Sequence, residues 1–278
     1  MLVTGSASTH YDRVTGAWTL LLGEELHYGL FATDADDLRS ATRSLTQAMI
    51  GAAQVRSGDR VLDVGCGVGV PACYMAKNLG ARVVGISTSE EGLKHARANA
   101  IREGVADLVT FELRDGMQNG FPDAAFDRVV VLESSHLMRQ RDRLIAECAR
   151  VLVPGGRMAL CDIVLKRPMP FSEVRRLRGS FALLREVFGD ARMGPVAEYR
   201  RLADDHGLRV DRESDLTAET RPTFDRWREN ADLHRAEVEA LLGVVRLGEF
   251  VESCDVMRGF WDDGTLGYAL LGAVKVKA

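Results

Sequence analysis

The sequence predicts an α/β fold built on a mostly parallel sheet of seven strands. Three observations carry that expectation. Five short apolar runs between residues 60 and 164 are separated mostly by segments of helical pattern, the signature of βαβ units. The first run ends abruptly in closely spaced glycines, followed by a proline that suits a first helical turn. Two more strand-like runs return only after long helical stretches, at Leu208 to Leu216 and Leu266 to Val274.

The elements follow in order. Val61-Leu62-Asp63-Val64 is the first strand, Arg82 to Ile86 the second and Leu108 to Leu113 the third. Asp127 to Leu132 is the fourth and Arg157 to Val164 the fifth. Helical patterns lie at about 71–79, 89–103 and 139–152, the last stopped by Pro154-Gly155-Gly156. Residues 166–204 and 217–262 read as mostly helical and interrupt the sheet in sequence. At about 150 residues per domain, 278 residues suggest two domains. The interleaving instead predicts a single domain over 1–278: an N-terminal helical cover at 1–55, a core at 56–165, and cap insertions at 166–204 and 217–262.

Composition narrows the function. The net charge of −4 argues against a nucleic-acid binder. Five cysteines without C-x-x-C spacing suggest neither a disulfide framework nor a zinc site, and no carboxylate cluster shows metal spacing. No signal peptide is evident, and no apolar run is long enough to span a membrane, so a cytoplasmic protein is expected. Arginine makes up 31 of the 36 basic residues, which suggests a GC-rich bacterial source.

The strongest motif is Asp63-Val64-Gly65-Cys66-Gly67-Val68-Gly69-Val70-Pro71. Its glycines permit a tight turn and close approach of a ligand to the main chain. Residues 67–72 also fit the dinucleotide pattern G-x-G-x-x-A, but one turn late. A tight turn without ligand is the third reading.

The run from Asp63 resembles motif I of the class I S-adenosylmethionine (SAM) methyltransferases. Arg114-Asp115-Gly116-Met117 with Phe121-Pro122 downstream resembles the same family's adenine region, and Arg150 to Gly156 its "RVLKPGG" turn. Together the similarity covers roughly residues 10–277. It implies a Rossmann-like sheet with its last strand antiparallel, SAM as cofactor, and a SAM-binding core at 56–165. On the matching positions it implies cofactor contacts at Asp63, Gly65, Cys66, Gly67, Gly69, Asp115, Gly116, Met117 and Leu132. Met117 stands where the family usually has alanine. Many members place an acid at the end of strand two to hold the ribose; here Ser87 occupies that place. Gly85-Ile86-Ser87-Thr88-Ser89 instead resembles the tocopherol, sarcosine and rebeccamycin-type subgroup, where hydroxyl and backbone groups share that task. Glu90 and Glu91 also suit helix N-terminal electrostatics.

His136 follows strand four and Asp162 lies near the carboxyl end of strand five, so both fall along the carboxyl edge where open α/β sheets bind ligands. Their spacing resembles the proposed base pair of rebeccamycin-type sugar O-methyltransferases. A neutral imidazole can take the proton of an alcohol, and a carboxylate can fix its tautomer. Glu24 to Phe31 resembles a segment that folds over the site in that subgroup, which implies acceptor contacts at His27, Tyr28 and Phe31, with Tyr11 a further candidate. The aromatics of 166–204, notably Phe171 and Phe181 and also Tyr199, suit an apolar lid over the same edge. Arg175-Arg176-Leu177-Arg178 suits a solvated helix face. The expected activity is methyl transfer to a small natural product, most simply a sugar or polyketide hydroxyl in bacterial secondary metabolism. C- or N-methylation, or a cyclase that keeps SAM without transfer, are the alternatives. No macromolecular partner or membrane is implied, and a monomer or homodimer is expected.

Overall fold

The computed structural model describes residues 16–33 and 35–276. After a short helical segment at 16–21, helix α1 (Leu38–Ala53) starts where the Asp37 carboxylate accepts from Ser40 N–H at 2.7 Å. It ends on Gln54, in the left-handed region at φ 53. Strand β1 (Arg60–Val64) leads through the glycine turn into α2 (Val70–Leu79), and β2 (Arg82–Ser87) leads into α3 (Glu90–Arg102). Then come β3 (Val109–Leu113), β4 (Phe126–Leu132), a 3-10 turn at Ser135–Leu137, α4 (Arg141–Val151) and β5 (Leu152–Leu165). The first insertion forms α5 (Phe171–Arg176), α6 (Arg178–Phe188) and α7 (Val196–Asp205), ahead of β6 (Leu208–Asp215). The second forms α8 (Thr217–Thr220), α9 (Thr223–Leu233), α10 (Arg235–Leu242) and α11 (Val244–Asp262), ahead of β7 (Leu266–Lys275).

The seven strands lie in the order β3-β2-β1-β4-β5-β7-β6. All pairs are parallel except those of β7, which runs antiparallel to both β5 and β6. This is the expected Rossmann-like sheet with its last strand reversed. The central strands are buried on both faces, as a parallel sheet covered by helices requires. Val130 and Leu132 face one apolar cluster while Val129 and Val131 face the other. One boundary differs from the sequence expectation. β5 begins at Leu152, ahead of Pro154-Gly155-Gly156, and the turn becomes an irregularity inside the strand. The pairing with β4 slips there, from Phe126↔Leu152 to Arg128↔Arg157.

The two insertions do not behave as one cap. Helices α6, α9 and α11 pack together over the carboxyl edge. Helix α7 instead packs against α4 and β6, burying Tyr199, Leu202 and Ala203 in the opposite core. Tyr199 is therefore not part of the lid. The N-terminal segment is stitched between cap and sheet. Gly29 N–H donates to Thr223 Oγ1 at 3.0 Å, Phe31 N–H to the Glu219 carbonyl at 2.9 Å, and Tyr28 N–H to Glu133 Oε1 at 2.9 Å.

Candidate active site

The glycine turn has three glycines with three different reasons. Gly65, Gly67 and Gly69 all have positive φ, at 79, 53 and 75. A Cβ on Gly65 would lie 2.3 Å from Ser134 Cβ, and one on Gly69 would lie 2.5 Å from the Phe111 ring. Those two are packing glycines as well. A Cβ on Gly67 would meet nothing within 4 Å, so Gly67 borders open space. The Gly65 and Cys66 N–H groups both donate to the Ile86 carbonyl, at 2.8 and 3.0 Å, and the Cys66 side chain is buried. Cys66 thus builds the turn with its backbone, and burial pushes its thiol well above the ordinary range.

Asp63, just before this turn, is 2% exposed. Its Oδ2 is buried without a hydrogen-bond partner. Burial raises its carboxyl to about 7, offset only by the charge of His27. A buried carboxylate oxygen left unpaired costs free energy and is uncommon without a ligand. The expected SAM, which carries an ammonium and a sulfonium, fits an orphaned acid beside an open glycine. Asp63 and Gly67 would hold it.

On the neighbouring strands, Ser87 is half-buried at the end of β2, where its Oγ accepts from Ser89 N–H at 3.1 Å. Asp115 is exposed past β3, with Oδ1 accepting from Met117 N–H at 2.8 Å. Its second oxygen is in no such turn. Gly116 has a packing reason, since a Cβ there would lie 2.6 Å from Val64. Met117 is half-buried, and its sulfur accepts from Gln140 N–H at 3.4 Å, so it closes the loop. Leu132 is 8% exposed at the end of β4. Glu90 and Glu91 are engaged along α3 in exposed ion pairs with Arg97 and with Lys94 and His95.

The structure brings His136 and Asp162 together. His136 Nδ1 lies 2.5 Å from Asp162 Oδ1. Asp162 is fully buried and collects three more donors. These are His136 N–H at 3.0 Å, Ile163 N–H at 2.8 Å and the Ser135 hydroxyl. Ser135 Oγ in turn lies 2.7 Å from Tyr199 OH. Burial alone would lower the imidazole and raise the carboxyl. Their mutual charge and hydrogen bond win, so His136 is held above its ordinary range and Asp162 below. Nδ1 is committed to Asp162, which leaves Nε2 for the space beside it.

That space is a chamber of about 680 Å³. His136 and Glu133 line it just after β4, and Ile163 from within β5. Trp18, Leu22, Leu26 and Tyr28 come from the N-terminal segment, and Phe181, Leu184, Phe188, Trp227 and Met257 from the cap. Arg178, Arg185, Glu186 and Asp190 add charge to the lining. Tyr28 anchors the wall, stacked on Trp261 at 5.6 Å and in ring contact with Phe224, Trp227 and Tyr268.

Three expected acceptor contacts fall elsewhere. Phe171 is 81% exposed at the start of α5 and does not line the chamber, which that helix reaches through Val174 instead. Phe31 is buried beside Gly29, where a Cβ would lie 2.5 Å from the Phe31 ring. His27 is sealed below the chamber, with Nδ1 2.8 Å from the Tyr28 carbonyl and Nε2 3.2 Å from Glu25. Burial would raise Glu25, but His27, Thr46 and Arg43 bring it down to about 2; burial would lower His27, but Glu25 holds it above its ordinary range, and its ring fixes the Tyr28 backbone. Tyr11 lies outside the described residues. Tyr28 and Phe181 do line the chamber. Among the described residues no group of His, Cys, Asp and Glu could hold a metal ion, and no helix is long and apolar enough to cross a membrane.

Sequence reasoning passed over Glu133. It lies in the left-handed region at φ 50, an uncommon choice for a side chain of this kind. Its only sequence signal was its place directly after a buried strand.

The chain matches the family described as mycolic acid cyclopropane synthetase over residues 4–252. It is 36% identical over 266 residues, 95% of either chain, to the 27-O-demethylrifamycin SV methyltransferase of Amycolatopsis mediterranei. Among solved structures it resembles the [4+2]-cyclase SpnF, with a TM-score of 0.84 at 24% identity over 100% of this chain and 99% of that one. It also resembles mycolic acid cyclopropane synthase CmaA1 complexed with SAH and CTAB, with a TM-score of 0.86 at 20% identity over 97% of each. These two likenesses are of fold.

Proposed function

Because the chain belongs to the mycolic acid cyclopropane synthetase family and is a SAM-dependent methyltransferase, we propose that it methylates a hydroxyl of a lipophilic natural product, with His136 as general base. The observation that carries this reading is the dyad at the chamber wall. Asp162 holds Nδ1, and Nε2 is the nitrogen left for an acceptor. When bound, SAM supplies a methyl group made electrophilic by its sulfonium.

The chain's own residues do the rest. The acceptor hydroxyl is a weak nucleophile while it keeps its proton. His136 Nε2 takes that proton, and Asp162 stabilises the imidazolium formed. Four donors around Asp162 fix its orientation and hence the tautomer of His136. The apolar wall excludes water and orients the acceptor, which supplies much of the acceleration. That wall favours a polyketide-type acceptor over a free sugar, since a sugar would leave its hydroxyls unpaired against Trp18, Leu22 and Met257. The rifamycin relative supports this choice.

The test is transfer of labelled methyl from SAM to hydroxylated macrolactam and macrolide acceptors, with 27-O-demethylrifamycin SV included. His136→Ala is expected to reduce turnover about 10²–10⁴-fold while SAM affinity stays within about twofold. Full turnover in that variant removes the base from the reading. An acceptor rearranged with no label transferred overturns methyl transfer itself.

A further inference from the structure

We propose that Glu133 is an acceptor-recognition carboxylate: it binds a second hydrogen-bond donor, an O–H or N–H set beside the methylated hydroxyl. This rests on the reading that the chamber holds the acceptor.

Four observations carry it. Glu133 lines the same chamber as His136 and follows the last residue of β4. Only one of its oxygens is used inside the protein. Oε1 accepts from Tyr28 N–H at 2.9 Å and from Tyr268 OH at 2.6 Å, and no hydrogen bond among the described residues uses Oε2. Glu133 is half-buried, and its Oε2 is not among the fully buried oxygens left without a partner. The remaining exposure of Glu133 is therefore available to the chamber it lines. Finally, its backbone holds φ 50 in the left-handed region, a strained conformation that persists where the surroundings fix it. Here Glu133 N–H donates to the Cys161 carbonyl at 2.8 Å, and Tyr268 and Tyr28 grip the carboxylate from two other elements.

The chemistry follows from this geometry. A carboxylate oxygen that accepts but cannot donate selects a donor. Burial pushes the Glu133 carboxyl upward, with His27, Tyr268 and Tyr28 pulling the other way. In a chamber with mostly apolar walls such an oxygen gains from a ligand donor and loses when faced with hydrocarbon. The acceptor class is therefore a lipophilic molecule whose reacting hydroxyl has a neighbouring hydroxyl or amine, rather than an isolated alcohol.

The substitution Glu133→Gln makes a sharp test. Tyr28 N–H can only donate, so it holds the amide oxygen where Oε1 was. The amide NH2 then takes the place of Oε2, and an acceptor becomes a donor. The probes are 2-decanol and 1,2-decanediol, titrated into the full-length protein saturated with S-adenosylhomocysteine. The wild type is expected to bind the diol at least tenfold tighter than the mono-alcohol. In Glu133→Gln that preference is expected to fall to twofold or less, with S-adenosylhomocysteine affinity within twofold of wild type. A diol preference retained in the variant, or absent from the wild type, overturns the proposal. So does a tenfold loss of S-adenosylhomocysteine affinity with the diol preference unchanged, which would assign Glu133 to the cofactor. If Glu133→Gln fails to fold, Tyr268→Phe, which frees Oε1 of one donor, is expected to alter diol affinity while sparing the mono-alcohol; equal effects on both overturn it. Binding is read without turnover, so failure here leaves the proposed transfer reaction untouched.

Discussion

Two buried aspartates stand at the carboxyl edge of the same sheet, and they are opposites. Asp162, in β5, is saturated with donors and held below its ordinary range. Asp63, in β1, has an oxygen with no partner and is raised to about 7. Depth is the same, so desolvation does not separate them. Partners do. A carboxylate that the protein satisfies itself is a fixed part that orients another side chain. One that the protein leaves wanting is shaped for something from outside. On the proposed reading, the edge divides into an acceptor half that holds a base still and a cofactor half that receives a cation.

Asp162→Asn strikes the saturated side and carries the largest expected effect. An amide NH2 placed among four donors faces N–H and O–H groups, and the tautomer of His136 is no longer fixed. Turnover is expected to fall about 10³-fold or more, by analogy with carboxylate-to-amide changes in other base-orienting pairs. The apparent pKa on the rising limb of the rate should also fall, since Asp162 is what holds His136 up. A rate within tenfold of wild type would show that the pair is structural.

Asp63→Asn strikes the orphaned side and should do less to turnover at saturation. SAM affinity, read by calorimetry, is expected to weaken about tenfold to a hundredfold. Two signs sharpen the contrast. The folded Asp63 carboxyl is raised, so its contribution to stability is present below the ordinary carboxylate range and lost as pH rises toward about 7. The cofactor-free Asp63→Asn protein should therefore melt higher than wild type at pH 8. Binding a cation favours the ionised form, so wild-type SAM affinity should fall as pH drops below about 7, while the variant stays flat. A wild-type affinity independent of pH from 6 to 8 would break the assignment of Asp63 to the cofactor.

The cofactor half was legible in the sequence because it is local. One strand, three glycines and a proline lie within a dozen residues, and the turn they form has few alternatives. The seven strands were legible as apolar runs, the reversed β7 only through the family resemblance, and the meeting of His136 with Asp162 from the usual adjacency of strands four and five. The acceptor half was legible only in part, because its wall is assembled from residues as distant as Trp18, Phe181, Trp227 and Met257. Aromatic content marked both insertions as cover, but it did not distinguish Phe181, which packs on Phe260 at 5.6 Å, from Phe171, which faces solvent. Helix α7 read as cap and is core, since amphipathicity names a buried face without naming its partner. His27 read as a pocket residue because nothing local reveals that Glu25 and Thr46 close around it.

Ser135→Ala probes how the saturated side is built, and its effect should be smaller than that of either aspartate change. Ser135 is one of four donors to Asp162, and its hydroxyl continues to Tyr199 OH. Removing it leaves the Asp162 charge less satisfied, and a less satisfied carboxylate binds the imidazolium more strongly. His136 is already raised, and here it should rise further. A base with a higher pKa is free only at higher pH, so the rising limb of turnover should move to more alkaline values. Near neutral pH the rate should fall about threefold to tenfold, and most of that loss should disappear at high pH. Tyr199→Phe should move the limb the same way by less, being one bond further from Asp162. If Ser135→Ala instead lowers turnover equally at every pH, the hydroxyl merely fills space, and the saturation of Asp162 is incidental to the base.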